Sequence, residues 1–122
     1  MSTQEFGEIG EAVAAHWLMR RGWVLLAHRF RSGHRDLDLV ARQGRLVAFV
    51  EVKARRGTTF GDPVEAVGWR KRRELIRSAH VWIDRHGQAG DAYRFDVIGV
   101  LVSGGRARIR HVEGAFSAPW TT

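Results

Sequence analysis

Residues 46 to 52, LVAFVEV, are apolar on both faces of what reads as a strand until a carboxylate appears at Glu51. Side chains alternate along a strand, so a run that is apolar at every position must be covered on both sides. Such a strand belongs inside a sheet with a layer above and a layer below. The charged end, Glu51 and then Lys53, marks the point where this interior strand emerges into a cleft.

The flanking sequence supplies the covering layers. Residues 3 to 21 read as a helix, with Thr3 as N-cap, Glu5 and Glu8 in the favourable early turns and Gly22 as the stop. Phe6, Ile9, Val13 and Trp17 recur at helical spacing and are expected to face the core. Gly7, Glu11, Ala14, Ala15 and Leu18 form a neighbouring stripe of mostly small residues that lets the helix lie close to another element. Residues 23 to 31, 35 to 41 and 46 to 54 read as three strands, and residues 55 to 67 have turn character. A second helix is expected from Trp69 to His86, with Leu75, Ile76, Ala79, Trp82 and Ile83 on its apolar face. Strands at 92 to 102 and 106 to 112 complete the chain.

The order is α-β-β-β-α-β-β. Short links make the first three strands an antiparallel meander, and the strand after the second helix joins by a crossover. The expectation is an α/β fold: one domain over residues 1–116, a central mixed sheet flanked by helices, then a short tail over 117–122.

At 122 residues the chain is sized for one core. No apolar run approaches the roughly 20 residues of a membrane span. The acidic N-terminus lacks the basic and apolar regions of a signal peptide, so the cytoplasm is the expected location. With no cysteine, disulfides, thiolate metal sites and thiol catalysis are excluded. Twenty Lys and Arg against 13 Asp and Glu give a net charge of +7, which favours a polyanionic partner. Arginine dominates, and its planar fork suits phosphate. Nucleic acid, DNA foremost, is the expected partner. A merely soluble basic surface is the alternative.

Chemistry concentrates at Asp38, Glu51 and Lys53. Glu51 and Lys53 share a strand face, as do Asp36 and Asp38. A two-residue turn at Gln43 and Gly44 places Asp38 opposite Phe49 and Asp36 opposite Glu51. All then lie on one face, with Asp38 and Glu51 as diagonal neighbours about 7–8 Å apart at the backbone. A slip of one residue would put the carboxylates on opposite faces. Carboxylates at this spacing suit a hard cation, Mg²⁺ or Mn²⁺, rather than zinc. Such a site hydrolyses phosphodiesters, with Lys53 orienting or activating water or stabilising charge on phosphate oxygens. Glu-x-Lys arises by chance roughly 0.4 times in a chain this long, so the bare motif is weak. A surface ion-pair ladder is the competing account. What separates the two is placement at the end of a buried strand.

Gly10-Glu11-Ala12, Asp36-Leu37-Asp38-Leu39-Val40, Phe49-Val50-Glu51-Val52-Lys53 and Phe60-Gly61-x-Pro63-x-Glu65-Ala66-Val67 together resemble the YraN-like family of bacterial proteins. Lys71, Leu75 and Ala79, Arg94-Phe95-Asp96-Val97, and His111-Val112-Glu113-Gly114-Ala115-Phe116 extend the resemblance over nearly the whole chain. It implies the PD-(D/E)XK restriction-endonuclease-like fold, similar in layout to archaeal Holliday junction resolvases. It further implies metal ligands at Asp38 and Glu51, a catalytic lysine at Lys53, and Glu11 reaching the metal cluster from the first helix. The chain departs from the family at Asp36 (usually glutamate), Gly68 (usually a capping threonine) and Arg72 (often glutamine). Fold alone does not fix function.

Around this cluster, Arg55, Arg56, Arg70, Lys71, Arg72 and Arg73 form a candidate phosphate rim, with a solvated helix face as the alternative for Arg70 and Arg73, and the loop 55 to 62 a candidate flap. Trp69 is the candidate base-stacking tryptophan, whereas Trp17, Trp23 and Trp82 read as core. Asp36 and His34 are accessory candidates. Arg106, Arg108 and Arg110 alternate along the last strand, as edge protection or a second phosphate track. The expected function is divalent-metal-dependent endonucleolytic hydrolysis of DNA, with branched or junction DNA as the narrower expectation and a homodimer if junctions are cut. The alternative is a non-catalytic nucleic-acid-binding subunit that retains the nuclease fold.

Overall fold

A computed structural model describes residues 1–59 and 61–121. The elements run α1 (Thr3–Arg20), β1 (Val24–Ser32), β2 (Arg35–Gln43), β3 (Leu46–Arg56), α2 (Trp69–His86), β4 (Ala92–Ser103) and β5 (Arg106–Phe116). The five strands form one sheet in the order β1-β2-β3-β4-β5. All neighbours are antiparallel except β3 and β4, which run parallel because α2 makes the crossover between them. The expected α/β order, meander and crossover are all present.

The interior strand is β3, where Val47, Ala48, Phe49 and Val50 are each at most 2% exposed. Its two faces feed two cores. Phe49 packs with Leu75, Ala79 and Trp82 of α2, and Ala48 and Val50 pack with Ala14, Ala15 and Leu18 of α1. Burying a side chain such as Phe49 contributes about 2 kcal/mol. Among the described residues no helix is long and apolar enough to cross a membrane.

Helix α1 presents the small-residue stripe to the sheet, not the large one. Gly10, Ala14, Ala15 and Leu18 are its buried residues, while Ile9 is 43% exposed and Phe6, Val13 and Trp17 are half-buried at its margins. The cause is close approach: a Cβ on Gly10 would lie 2.7 Å from the Ala54 Cβ of β3. Its N-cap is Ser2 rather than Thr3. Ser2 and Glu5 form a reciprocal capping box.

The hairpin between β2 and β3 also differs from expectation. Its turn lies on Gly44 and Arg45, and Gln43 pairs with Leu46. Gly44 has φ 62, and a two-residue turn that places glycine first takes positive φ there. The register moves by two positions, so the predicted sharing of faces survives and the predicted partners do not.

Residues 117–121 fold back on the body: Ala118 is buried, and Trp120 packs against Phe95, Tyr93 and His80. Phe60, quoted in the resemblance and part of the candidate flap, lies outside the described residues.

Candidate active site

The β2–β3 ladder runs from the turn to Leu39 opposite Val50. Continued one step, it sets Asp38 opposite Glu51, closer than the diagonal the sequence predicts. There a side chain takes over from the backbone: Asp38 Oδ2 accepts the Val52 N–H at 2.8 Å. On its other side β3 stays fully paired, with Glu51 beside Val97 and Lys53 beside Gly99 of β4. The Glu51–Lys53 segment is thus fixed along one edge and opened along the other.

Glu51 is 4% exposed. Its Oε2 lies 3.5 Å from Lys53 Nζ and 3.8 Å from Lys71 Nζ, while Oε1 is buried with no hydrogen-bond donor among the described residues. Lys71 comes from the first turn of α2, which begins at Gly68 without a side-chain cap. Burial, and next the charge of Glu51, push the Asp38 carboxyl up to about 8; the Val52 N–H and Lys71 act against this and do not prevail. Two facing carboxylates in a half-buried setting are satisfied by a shared proton or by a cation. The pair offers only oxygen donors, a set that suits Mg²⁺ or Mn²⁺ over zinc.

Glu11 is placed elsewhere. Its Oε1 accepts from His28 Nε2 at 2.9 Å and from Arg29 Nε at 3.1 Å, and Glu8 takes the same guanidinium at 3.1 Å. Arg29 has φ 54, and the β1–β2 ladder passes from His28–Leu39 to Phe30–Leu37 around it. Among the described residues, no three His, Cys, Asp or Glu side chains are grouped to hold a metal ion. Asp36 pairs with Arg31 of β1 at 3.3 Å, and His34 is exposed in the β1–β2 turn.

The rim residues separate by role. Lys71 belongs to the Glu51 cluster. Arg72 instead ties down the preceding segment, donating to the Val67 and Val64 carbonyls at 2.8 and 3.4 Å, with its guanidinium 5.3 Å from the Phe116 ring centroid. Arg56 lies over the Phe6 ring at 4.0 Å, and Arg55 is exposed and donates to the neighbouring Ala54 carbonyl. Arg70 stays exposed beside Trp69, which is 62% exposed. A cavity of about 260 Å³ opens beside Lys53, lined by Arg55, Arg56, Asp62, Pro63 and Gly99 among others. It lies against the C-terminal halves of the parallel strands β3 and β4.

A second charged cluster escaped the reading of strand alternation. Asp96, 1% exposed, accepts from Arg94 at 2.7 and 2.9 Å, from His111 at 2.7 Å and from the Gly114 N–H at 3.0 Å. Burial pushes its carboxyl up, but the His111 and Arg94 hydrogen bonds outweigh that and hold it below the usual range. These residues fall in the Arg94–Val97 and His111–Phe116 motifs of the resemblance, which is the signal that marks them. Their work is to lock β5 onto β4 where the ladder is irregular between Phe95 and Val97.

Comparison with known proteins agrees with the resemblance. The family model for "Uncharacterised protein family UPF0102" matches residues 10–100. A UPF0102 protein of Chlorobium chlorochromatii is 43% identical over 121 residues, covering 94% of this chain and 93% of its own. Those of Anaeromyxobacter dehalogenans and Myxococcus xanthus are 40% and 37% identical, over 93% and 94% of this chain and 84% and 91% of theirs. The matched span contains Glu11, Asp38, Glu51, Lys53 and Lys71, and the chain belongs to the UPF0102 family.

Proposed function

We propose that the protein is a divalent-cation-dependent nuclease that hydrolyses phosphodiester bonds, with DNA as its first substrate. The observation that carries this reading is the pairing of Asp38 with Glu51 at the splayed end of a buried strand, with Glu51 Oε1 left without a donor among the described residues. A stability role alone gives no reason to hold two carboxylates against each other under burial.

Asp38 and Glu51 would hold the cation, which on binding supplies Lewis acidity toward water and phosphate. Glu11 joins them only by exchanging its contacts with Arg29 and His28. Lys53 and Lys71 hold positive charge beside Glu51 and so beside any phosphate drawn to the cleft. There they would offset charge that develops on phosphate oxygens, and Lys53 would orient or activate an attacking water. Backbone N–H groups at the open start of α2 add positive potential on the same side.

A second reading has its own support. Because Arg29 and His28 occupy Glu11, a non-catalytic nucleic-acid-binding subunit needs no third ligand. Incubation with supercoiled, branched, flapped and single-stranded DNA, and with RNA, in Mg²⁺ and Mn²⁺ separates the two. The nuclease reading expects cation-dependent cleavage of at least one substrate by the wild type and none by Glu51→Ala. Binding whose affinity falls steeply with salt, without cleavage of any substrate, would favour the second.

A further inference from the structure

A groove of about 370 Å³ lies between the start of β2 and the outward face of α2, lined by Arg35, Trp69, Arg70, Arg73, Glu74 and Arg77. Four arginines face one carboxylate there. Among the described residues none of the four guanidiniums has a hydrogen bond or a carboxylate within ion-pair distance, and Arg70 and Arg73 touch only the Trp69 ring. Elsewhere Arg29, Arg31, Arg42 and Arg94 have carboxylates, and Arg21, Arg55 and Arg72 have carbonyls.

Trp69 is the second observation. It is 62% exposed, whereas Trp23 and Trp82 are 8% and 3% exposed. The Arg70 and Arg73 guanidiniums stand 5.7 and 5.5 Å from its ring centroid. That is near the outer limit of about 6 Å for a cation–π contact. Other guanidiniums stand closer to their rings, as Arg21 does over Trp17 at 3.7 Å and Arg56 over Phe6 at 4.0 Å. The exposure of Trp69 leaves its ring open, with two guanidiniums at its margin.

An open indole within a ring of unpaired arginines fits a nucleobase with a free face and the phosphates on either side of it. A duplex offers such a face only at its ends. We infer that this groove binds a single-stranded segment of nucleic acid, stacking one unpaired base on Trp69 and carrying its phosphates on Arg70, Arg73, Arg77 and Arg35. The inference rests on the nuclease reading for what the strand is delivered to. Arg35 stands three residues before Asp38 on β2, about 10 Å along the strand. Lys71, beside Glu51, follows Trp69 by two residues in the same helical turn. The preferred substrate is then one with an unpaired segment bordering the bond to be cut.

Fluorescence anisotropy of the whole protein with labelled oligothymidine and with a duplex of equal length, in EDTA so that no cleavage enters, tests this. Trp69→Ala should weaken strand binding roughly tenfold and leave duplex binding within about twofold, and Trp69→Phe should restore most of the loss. Circular dichroism checks that each variant is folded. An unchanged strand affinity, an equal loss on strand and duplex, or equally tight Trp69-dependent binding of polyglutamate would overturn the inference. The readout is separate from cleavage. Trp69-dependent strand binding without any cleavage would defeat the nuclease reading alone, and cleavage with Trp69-independent binding would defeat this one alone.

Discussion

Asp38 Oδ2 accepts the backbone N–H of Val52 at 2.8 Å, so a β2 side chain bonds the β3 backbone where the two strands part. This bond fixes the Asp38 carboxylate beside Glu51 and leaves both facing the cleft. It also commits the protein to an electrostatic cost that a purely structural strand end would not carry.

That cost has a pH signature. With the Asp38 carboxyl raised from 3.8 to about 8, the folded protein holds a proton that the unfolded chain releases. Its contribution to stability is fully present below pH about 4 and is lost as pH rises toward about 8. Thermal melts in EDTA should show Asp38→Asn more stable than wild type at pH 8, by several degrees, with the difference closing toward pH 5. Asparagine keeps an oxygen for the Val52 N–H. Equal melting temperatures at both pH values would contradict the raised carboxyl.

Asp96 should behave in the opposite sense. Its carboxyl is held below 3.8, so the stability it supplies is present above that value and is lost as pH falls through it. Asp96→Ala leaves His111 and the Gly114 N–H without their acceptor, and urea denaturation at pH 7 should show a loss of about 3 kcal/mol. The difference from wild type should shrink below pH 4. A loss under about 1 kcal/mol would mean that β5 is held by other contacts.

Gly7 and Gly10 give a paired test of how α1 seats. Alanine in place of a helical glycine favours the helix by about 1 kcal/mol. A Cβ on Gly7 meets nothing within 4 Å, so Gly7→Ala should be stabilising. On Gly10 it meets the Ala54 Cβ at 2.7 Å, so Gly10→Ala should be destabilising despite the same propensity gain. Melting temperatures that rise for both would place α1 farther from β3.

Where the sequence was informative, the information was periodic. Leu46–Val52 specified a strand buried on both faces, and Glu51 with Lys53 specified where it emerges, because alternation needs no tertiary detail. Face parity places Asp38 with Glu51 although the hairpin offset differs by two positions from the one spacing suggests. The offset itself was open to derivation: glycine as the second turn residue would need positive φ at Gln43, whereas glycine as the first, at Gly44, carries that burden alone. The two stripes of α1 could not be ranked from spacing. Size argued for Phe6, Ile9, Val13 and Trp17, and only the distance to Ala54 decides for the small residues. Glu11 had the family resemblance in its favour, but the pull of Arg29 depends on a positive φ at a non-glycine residue, which no local pattern announces. Asp96 in a strand otherwise apolar from Phe95 to Leu101 was an available signal of a buried charge in need of partners.

The central claim is that Asp38 and Glu51 are held together to bind a divalent cation. Calorimetric titration of Mn²⁺ into the metal-free protein at pH 7 tests it, with Asp38→Asn and Glu51→Gln as controls. Saturable binding by the wild type, weakened at least tenfold by either substitution, is the predicted result. No binding by the wild type, or binding that both variants retain, would contradict the account.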